Sequence, residues 1–526
     1  MTTTANDRLP KGTVPAIVAM GLAIFVIAND VTAMSVAIPA IEQDFNTDVS
    51  TAQWVVSAYA LIFGVLIVSG GRLADMFGRR RILFIGAGIF AFFSLLGAVA
   101  PNIGLLILAR ALMGIGGAMM WPAILGLVYA ILPDSKAGLA GGLVIGTAGL
   151  GNAAGPLLGG FLTQVFDWRW ILFLNLPITL LACLVTWRTV HVENPSDRTA
   201  IDYAGIAAIS IGLIALLIGL GQAPDLGWTD PVVLGLFAVC VVLLVAFVFR
   251  ERAAGAAALI PRDVMTNVPF MSACTATLLM SATFFAALLY LPQYLQKIQG
   301  ANALVAGAAL LPMMGTFALT SFAEGAILRR VGMKAVVSVG ALLMATGPLL
   351  LALFVQQDSG YTALLPGMIV LGLGIGLFYS SVTTAGVTAL DASRSSLAGG
   401  ILYMFQVAGG AVGLGITTSV FLLGTNSGLT DGTSKLGITL DASEQASVRG
   451  VLAGTDSAAT IVAQQSGPVG QQLVEVVRDA FVTGLRWALL FDFALAVIGL
   501  IVTAAKVGGP LSRFGRDADE PAGATT

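Results

Sequence analysis

Asp30 and Arg110 are the residues of this chain best placed to do chemistry, because each stands inside a long apolar run, about Thr13 to Ile38 and Asn102 to Ala130. An aspartate can take up and release a proton, and an arginine, always charged, can hold that aspartate ionised. A charge within a membrane span costs at least a few kcal/mol unless paired or hydrated, which marks such residues as functional candidates by default. If both runs are helices, each residue lies eight positions from the outer end of its run, about 12 Å below the surface at ~1.5 Å per residue. The two side chains can therefore meet. Arg110 would favour the carboxylate and the apolar surroundings the neutral acid, so an external proton or a cationic substrate could displace the pair. A static structural ion pair is the alternative reading. Asp492, eleven residues into the last apolar run, is either a second proton or cation site or a polar contact to another helix. Glu324 reads as a loop charge beside Arg329 and Arg330.

Other chemistries lack carriers. His191 is the one histidine, there is no phosphate-binding glycine loop ending in Lys-Ser/Thr, and the glycine-rich segments lie inside apolar runs where a nucleotide could not reach them. The expectation is a protein that is not an enzyme and uses no cofactor or metal, its energy coming from an ion gradient.

The elements that must position these residues follow from composition. Of the 526 residues, 57% are hydrophobic and only 10% charged, with mean hydropathy +0.92; a soluble domain carries about 25% charged residues. The chain must live in a bilayer, and the class is an all-α integral membrane protein. A formal charge of −2 offers no basic field for nucleic acid. Cys183, Cys240 and Cys274 fall inside apolar runs and read as buried thiols. Runs of roughly 20 apolar residues, enough to cross about 30 Å of hydrocarbon, number fourteen: near 13–38, 51–70, 82–100, 102–130, 138–164, 169–189, 201–221, 231–250, 268–291, 303–324, 335–355, 361–386, 396–422 and 481–505. The first is longer than a signal-peptide core and is expected to be retained.

The stretch Gly71 to Arg81 is a short charged turn between two of these runs, and basic residues in such turns stay cytoplasmic. With it placed inside, Lys and Arg favour the inner side roughly threefold, and both termini are cytoplasmic. Three regions are expected: 1–190, a six-span half; 191–266, two extra spans; and 267–526, a second six-span half with a long outer loop at about 424–479. An internal repeat supports the halves. Gly71 and Gly78 match Gly325 and Gly332, and Gly114 to Trp121 lies over Gly372 to Tyr379. Repeat-built spans are a transporter feature, with binding at the interface of the repeats.

On these residues the chain resembles the major facilitator superfamily, and within it the fourteen-span drug:proton antiporters. The carriers are Gly71-x-Leu73-Ala74-Asp75-x-x-Gly78-Arg79-Arg80, Asp30-x-Thr32 with Pro39, Arg110-x-x-x-Gly114 with Pro122, and Gly151-x-x-x-Gly155-Pro156-x-x-Gly159-Gly160. Met113 stands where the family commonly has Gln. The resemblance implies a multidrug exporter of a bacterial plasma membrane, working by alternating access and exchanging a hydrophobic or amphipathic substrate for protons. It implies protons and membrane lipids as partners and a functional monomer. A dedicated exporter of an endogenous antibiotic, lipid or siderophore, an uptake symporter, and a membrane sensor are the rivals.

Met368 stands opposite Arg110 in the repeat, so proton coupling is assigned to the first half through Asp30 and Arg110, with Asp492 as a further candidate. Asp30 could also meet a cationic substrate. The substrate is expected to lean on Phe284, Phe285, Tyr290, Phe378, Tyr379, Tyr403, Phe405 and Gln406. Gly71, Asp75, Gly78, Arg79 and Arg80 form an inner gate in which Asp75 can cap a helix or pair with arginine. Gly151, Gly155, Pro156 and Gly159 supply a close, kinked helix contact, with Gly409, Gly410, Gly413 and Gly415 as its repeat partner.

Overall fold

Lipid cannot hydrogen-bond a bare backbone, so apolar runs that cross it must be helices. The computed structural model describes residues 12–47, 49–132, 137–190, 203–254, 260, 262–301, 303–357, 359–391, 394–436 and 468–507. An N-terminal bundle contains α1 (Thr13–Phe45), α2 (Val49–Phe77), α3 (Arg79–Ala98), α4 (Ile103–Ile131), α5 (Ala137–Val165) and α6 (Arg169–Thr189). Next come α7 (Tyr203–Leu226), α8 (Pro231–Ala254) and the short α9 (Arg262–Thr266). A C-terminal bundle contains α10 (Val268–Lys297), α11 (Ala303–Ala308), α12 (Leu311–Val331), α13 (Met333–Phe354), α14 (Tyr361–Val387), α15 (Ser395–Leu436) and α16 (Pro468–Lys506). Among the described residues, twelve helices are long and apolar enough to cross a membrane. The fifth and seventh expected spans are occupied by helices α5 and α7.

The internal repeat is visible as equivalent packing. Gly114 of α4 lies so close to α2 that a Cβ there would stand 2.7 Å from the Tyr59 carbonyl oxygen; Gly372 of α14 abuts Met313 and Thr316 of α12 in the same way. Gly86 of α3 faces Gly116 of α4, and Gly340 of α13 faces Phe378 of α14. Gly151, Gly155 and Gly159 of α5 press on α1, and Gly409 and Gly413 of α15 press on Leu278 and Ala282 of α10. The bundles meet where α5 packs on α12 and α2 packs on α15, while α7 lies against both α2 and α15. α8 packs on α7 and leaves Val241, Val242, Val245 and Phe249 exposed, a face suited to lipid.

Two expectations change. The charged turn at Gly71 to Arg81 is almost entirely helical: α2 continues to Phe77, α3 begins at Arg79, and only Gly78, at φ 98°, leaves the helix. Gly332, at φ 83°, makes the same one-residue joint between α12 and α13. That left-handed conformation is open to glycine at little steric cost. The outer connection expected from Gly424 to Asp479 is helix at both ends, through Leu436 and again from Pro468; residues 437–467 lie outside the described residues. The small residues that suggested a loop form a seam instead. Gly424, Gly428 and Gly432 of α15 receive Trp487, Ala480 and Val476 of α16 at four-residue spacing, the arrangement that lets two helix backbones approach closely.

Candidate functional site

Asp30 and Arg110 do meet. Both are fully buried, and the Arg110 Nη1 donates to Asp30 Oδ2. Three further elements hold the pair. Arg110 Nε donates to the Val55 carbonyl oxygen of α2 at 2.9 Å, and its guanidinium lies 4.6 Å above the Tyr59 ring. Asn175 of α6 donates from Nδ2 to Asp30 Oδ1 at 2.8 Å and to Ser94 Oγ of α3 at 3.0 Å, while Ser94 donates to the Leu172 carbonyl oxygen. The carboxylate thus has a partner on each oxygen, and five helices converge on one ion pair. Met113, in place of a polar residue, puts its sulfur 3.4 Å from Arg110 Nη1, and among the described residues Arg110 Nη2 has no hydrogen-bond partner.

Asn175, Ser94 and Tyr59 are absent from the sequence-based set. An amide buried within a span carried the signal for Asn175, since such a group needs a partner as surely as a charge does. Asn175→Ala should lower stability by about 1–3 kcal/mol, because Asp30 Oδ1 loses its donor while buried. Thermal unfolding of the purified variant checks this, and no loss of stability would remove Asn175 from the cluster.

An aromatic path leads from the pair to the contact between bundles. Tyr59 stacks on Phe63 with centroids 5.7 Å apart, and Phe63 meets Tyr403 of α15 at 5.3 Å. Trp121 of α4 meets Tyr403 at 4.6 Å. Trp121, Tyr403, Gln406, Thr277 and Thr383 line a small cavity between the bundles, sized for about one water molecule. Of the expected substrate residues, Tyr403 and Gln406 line this cavity, and Trp121 joins them from the N-terminal bundle.

The other expected aromatics divide. Phe284 joins a cluster with Phe285, Phe317 and Tyr379, and Tyr379 donates to Ser281 Oγ at 3.1 Å. Phe317 of that cluster faces Gly149 of α5 across the contact between bundles. The Phe378 ring also meets Tyr379, centroids 5.5 Å apart, while its backbone lies against Gly340 of α13. Tyr290 donates to Thr418 and packs on Phe421, within the C-terminal bundle. Phe405 is half-buried against the core.

The bundles touch at both ends of their contact. At the Gly78 end, Asp75 accepts from the backbone N–H of Leu397 in the first turn of α15, at 2.8 Å, and from Arg79 Nε at 3.1 Å. A carboxylate at a helix N-terminus is stabilised by the exposed N–H groups there, so Asp75 both caps a helix and pairs with arginine. Gly71 abuts Ser396, and the Tyr129 hydroxyl donates to Thr384 at 3.4 Å. Arg79 also donates to the Gly126 carbonyl oxygen at 3.0 Å, and Arg80 to that of Trp187 at 2.9 Å. At the opposite end, Pro156 packs on Gly307 of α11 and Gly160 on Leu304. The stripe Gly151, Gly155 and Gly159 serves a contact inside the N-terminal bundle, with α1.

Asp492 is buried on α16 and accepts from Thr417 Oγ1 at 2.7 Å; its other oxygen has no partner among the described residues. It belongs to the C-terminal bundle, and its hydrogen bond satisfies half of it. Glu324 is not a loop charge. It is fully buried, both oxygens lack a hydrogen-bond partner among the described residues, and Arg329 and Arg330 are exposed. The helical pitch turns position 324 onto the face of α12 that meets α5, away from the arginines one turn later.

Comparison with known proteins agrees with this architecture. A family model described as Major Facilitator Superfamily matches residues 20–414. The chain is similar to the tetracenomycin C resistance and export protein of Streptomyces glaucescens, 28% identical over 493 residues, covering 93% of this chain and 90% of that protein. It is 34% identical over 411 residues to a puromycin resistance protein of Streptomyces alboniger, covering 77% and 81%. Among solved structures, the human organic anion transporter MFSD10 aligns with TM-score 0.59 at 12% identity, covering 94% of this chain and all of that one, a likeness of fold.

Proposed function

The chain belongs to the major facilitator superfamily, and from that premise we propose that it is a proton-coupled exporter of hydrophobic or amphipathic drugs, including cations. The observation that carries the proposal is the buried Asp30–Arg110–Asn175 cluster, joined by Tyr59 and Phe63 to the cavity at Trp121 and Tyr403. In this reading the fourteen helices cross a bacterial plasma membrane as a monomer, with both termini and the Gly78 end cytoplasmic. Asp30 gains a proton when the pathway is open outward. That neutralises its pair with Arg110, shifts α1 and α4, and releases substrate. Inward opening hydrates the site, and the proton leaves as substrate binds. Trp121 and Tyr403 offer flat faces to a planar ligand, which a cation reinforces by cation–π attraction, and Gln406 supplies a polar contact. Asp492 serves as an auxiliary proton site in the C-terminal bundle.

Inside-out vesicles with an acidic lumen should accumulate a fluorescent hydrophobic cation, and Trp121→Ala should lower its apparent affinity about tenfold, equivalent to ~1.4 kcal/mol of ring contact. Accumulation that survives collapse of the proton gradient would refute the coupling. The names of the Streptomyces relatives, each tied to one antibiotic, favour a second reading, a dedicated exporter. Mutual competition among unrelated compounds in the same vesicles decides for the broad pathway, and transport of a single compound for the narrow one.

A further inference from the structure

We propose that Glu324 is the proton-sensitive latch of the cytoplasmic gate: it must be neutral for α5 and α12 to close, and it loses its proton to the cytoplasm when they part. This rests on the reading above that the Gly78 end is cytoplasmic and opens. Glu324 is fully buried, and among the described residues neither carboxylate oxygen has a hydrogen-bond partner. Its neighbour across the gate is Gly142 of α5, where a Cβ would stand 3.9 Å from Glu324 Oε2 and closer still to the Ser321 carbonyl oxygen. The other bundle therefore meets the carboxylate with a glycine, a contact that parts when the gate opens.

Among the described residues, no cation pairs with the group. α5 carries no titratable side chain anywhere along its length. On α4, Tyr129 lies within electrostatic range of Glu324, and its hydroxyl donates to Thr384 of α14. α14 carries only Tyr361 and Tyr379, α13 only Lys334 at its first turn, and on α12 itself Arg329 and Arg330 are exposed. An ionised carboxylate without a partner in such a place is strongly disfavoured, so the buried group carries its proton. In the open gate, water reaches the same group and it ionises in the ordinary carboxylate range. The closed gate thus binds one proton more than the open gate. Acid favours closure, and rising pH favours opening.

The test measures the gate directly. Spin labels at Arg81→Cys and Arg329→Cys, two exposed positions at the Gly78 end on opposite bundles, report its width by pulsed electron resonance. The full chain is used in nanodiscs, with Cys183, Cys240 and Cys274 changed to Ala. The open-to-closed ratio should rise by up to about tenfold per pH unit between the open-state and closed-state titrations. Glu324→Gln, an isostere of the neutral acid, should hold the gate closed and remove that one-proton slope, and Glu324→Asp should restore it. An unchanged slope in Glu324→Gln, or no slope in the parent, overturns the proposal. Asp30→Asn runs in parallel. A slope lost with Asp30 and kept without Glu324 overturns the latch and leaves the coupling site standing. The reverse, with proton-driven uptake intact in Asp30→Asn, overturns the coupling site and leaves the latch.

Discussion

Asp30→Asn is expected to abolish proton-driven substrate uptake in inside-out vesicles, the largest functional loss of any single substitution in this chain. The asparagine keeps the shape of the carboxylate, and its carbonyl oxygen still accepts from Arg110 or Asn175, but it cannot exchange a proton. It also leaves Arg110 as a buried charge without its counter-ion. Breaking one partner of a buried pair destabilises by about 3–5 kcal/mol, so a lowered unfolding temperature accompanies the loss. The second half of the molecule shows how to separate the two effects. Met368 occupies the position equivalent to Arg110 and is fully buried there, so a neutral side chain is compatible with this packing. Asp30→Asn combined with Arg110→Met should recover most of the unfolding temperature and none of the uptake. Recovery of transport in the double variant, or normal uptake in Asp30→Asn, would show that the pair is a structural brace.

The second large effect belongs to Gly155. A Cβ at this position would collide with the Thr32 hydroxyl and the Ala33 backbone nitrogen of α1, and backbone cannot step aside as a flexible side-chain tip can. Gly155→Leu should force α1 and α5 apart, at a cost of roughly 1–3 kcal/mol for overpacking, and with them the carboxylate that α1 carries two residues from the collision. Uptake should fall to background while the protein still reaches the membrane. Gly88, which has open space where its Cβ would go, is the control: Gly88→Leu should transport as the parent does. Equal activity in both variants would mean that the α1–α5 contact tolerates separation, and the glycine stripe would lose its assigned importance.

Much of this arrangement was legible in the sequence because charges and glycines are rare signals in an apolar chain. Asp30 and Arg110 could be placed at one depth by counting from the ends of their runs, and the structure joins them. The spacing of Gly71, Gly78 and Gly114 exposed a repeat that the packing of Gly86 on Gly116 and Gly340 on Phe378 bears out. The aromatics were less legible, since a ring in a membrane helix has the same composition whether it faces a pathway, a neighbour or lipid. Phe378 and Tyr379 are adjacent and their rings touch, yet only Tyr379 carries a hydroxyl that reaches Ser281. Glu324 departs from the loop reading because neighbours in sequence on a helix face different sides, so Arg329 and Arg330 do not reach it. The seam of α15 and α16 was misread because small polar residues serve loops and close helix contacts alike.

The joints at Gly78 and Gly332 have a mechanical consequence. A connection one residue long has no slack, so α2 cannot turn without dragging α3, nor α12 without α13. Each pair behaves as a stiff lever whose far arm is set by the length of its helices. Asp75 grips α15 on the short side of one lever, and Glu324 lies on the short side of the other. If the gate works as proposed, a proton gained or lost at Glu324 would be passed through the joint at Gly332 as displacement at the opposite face of the membrane.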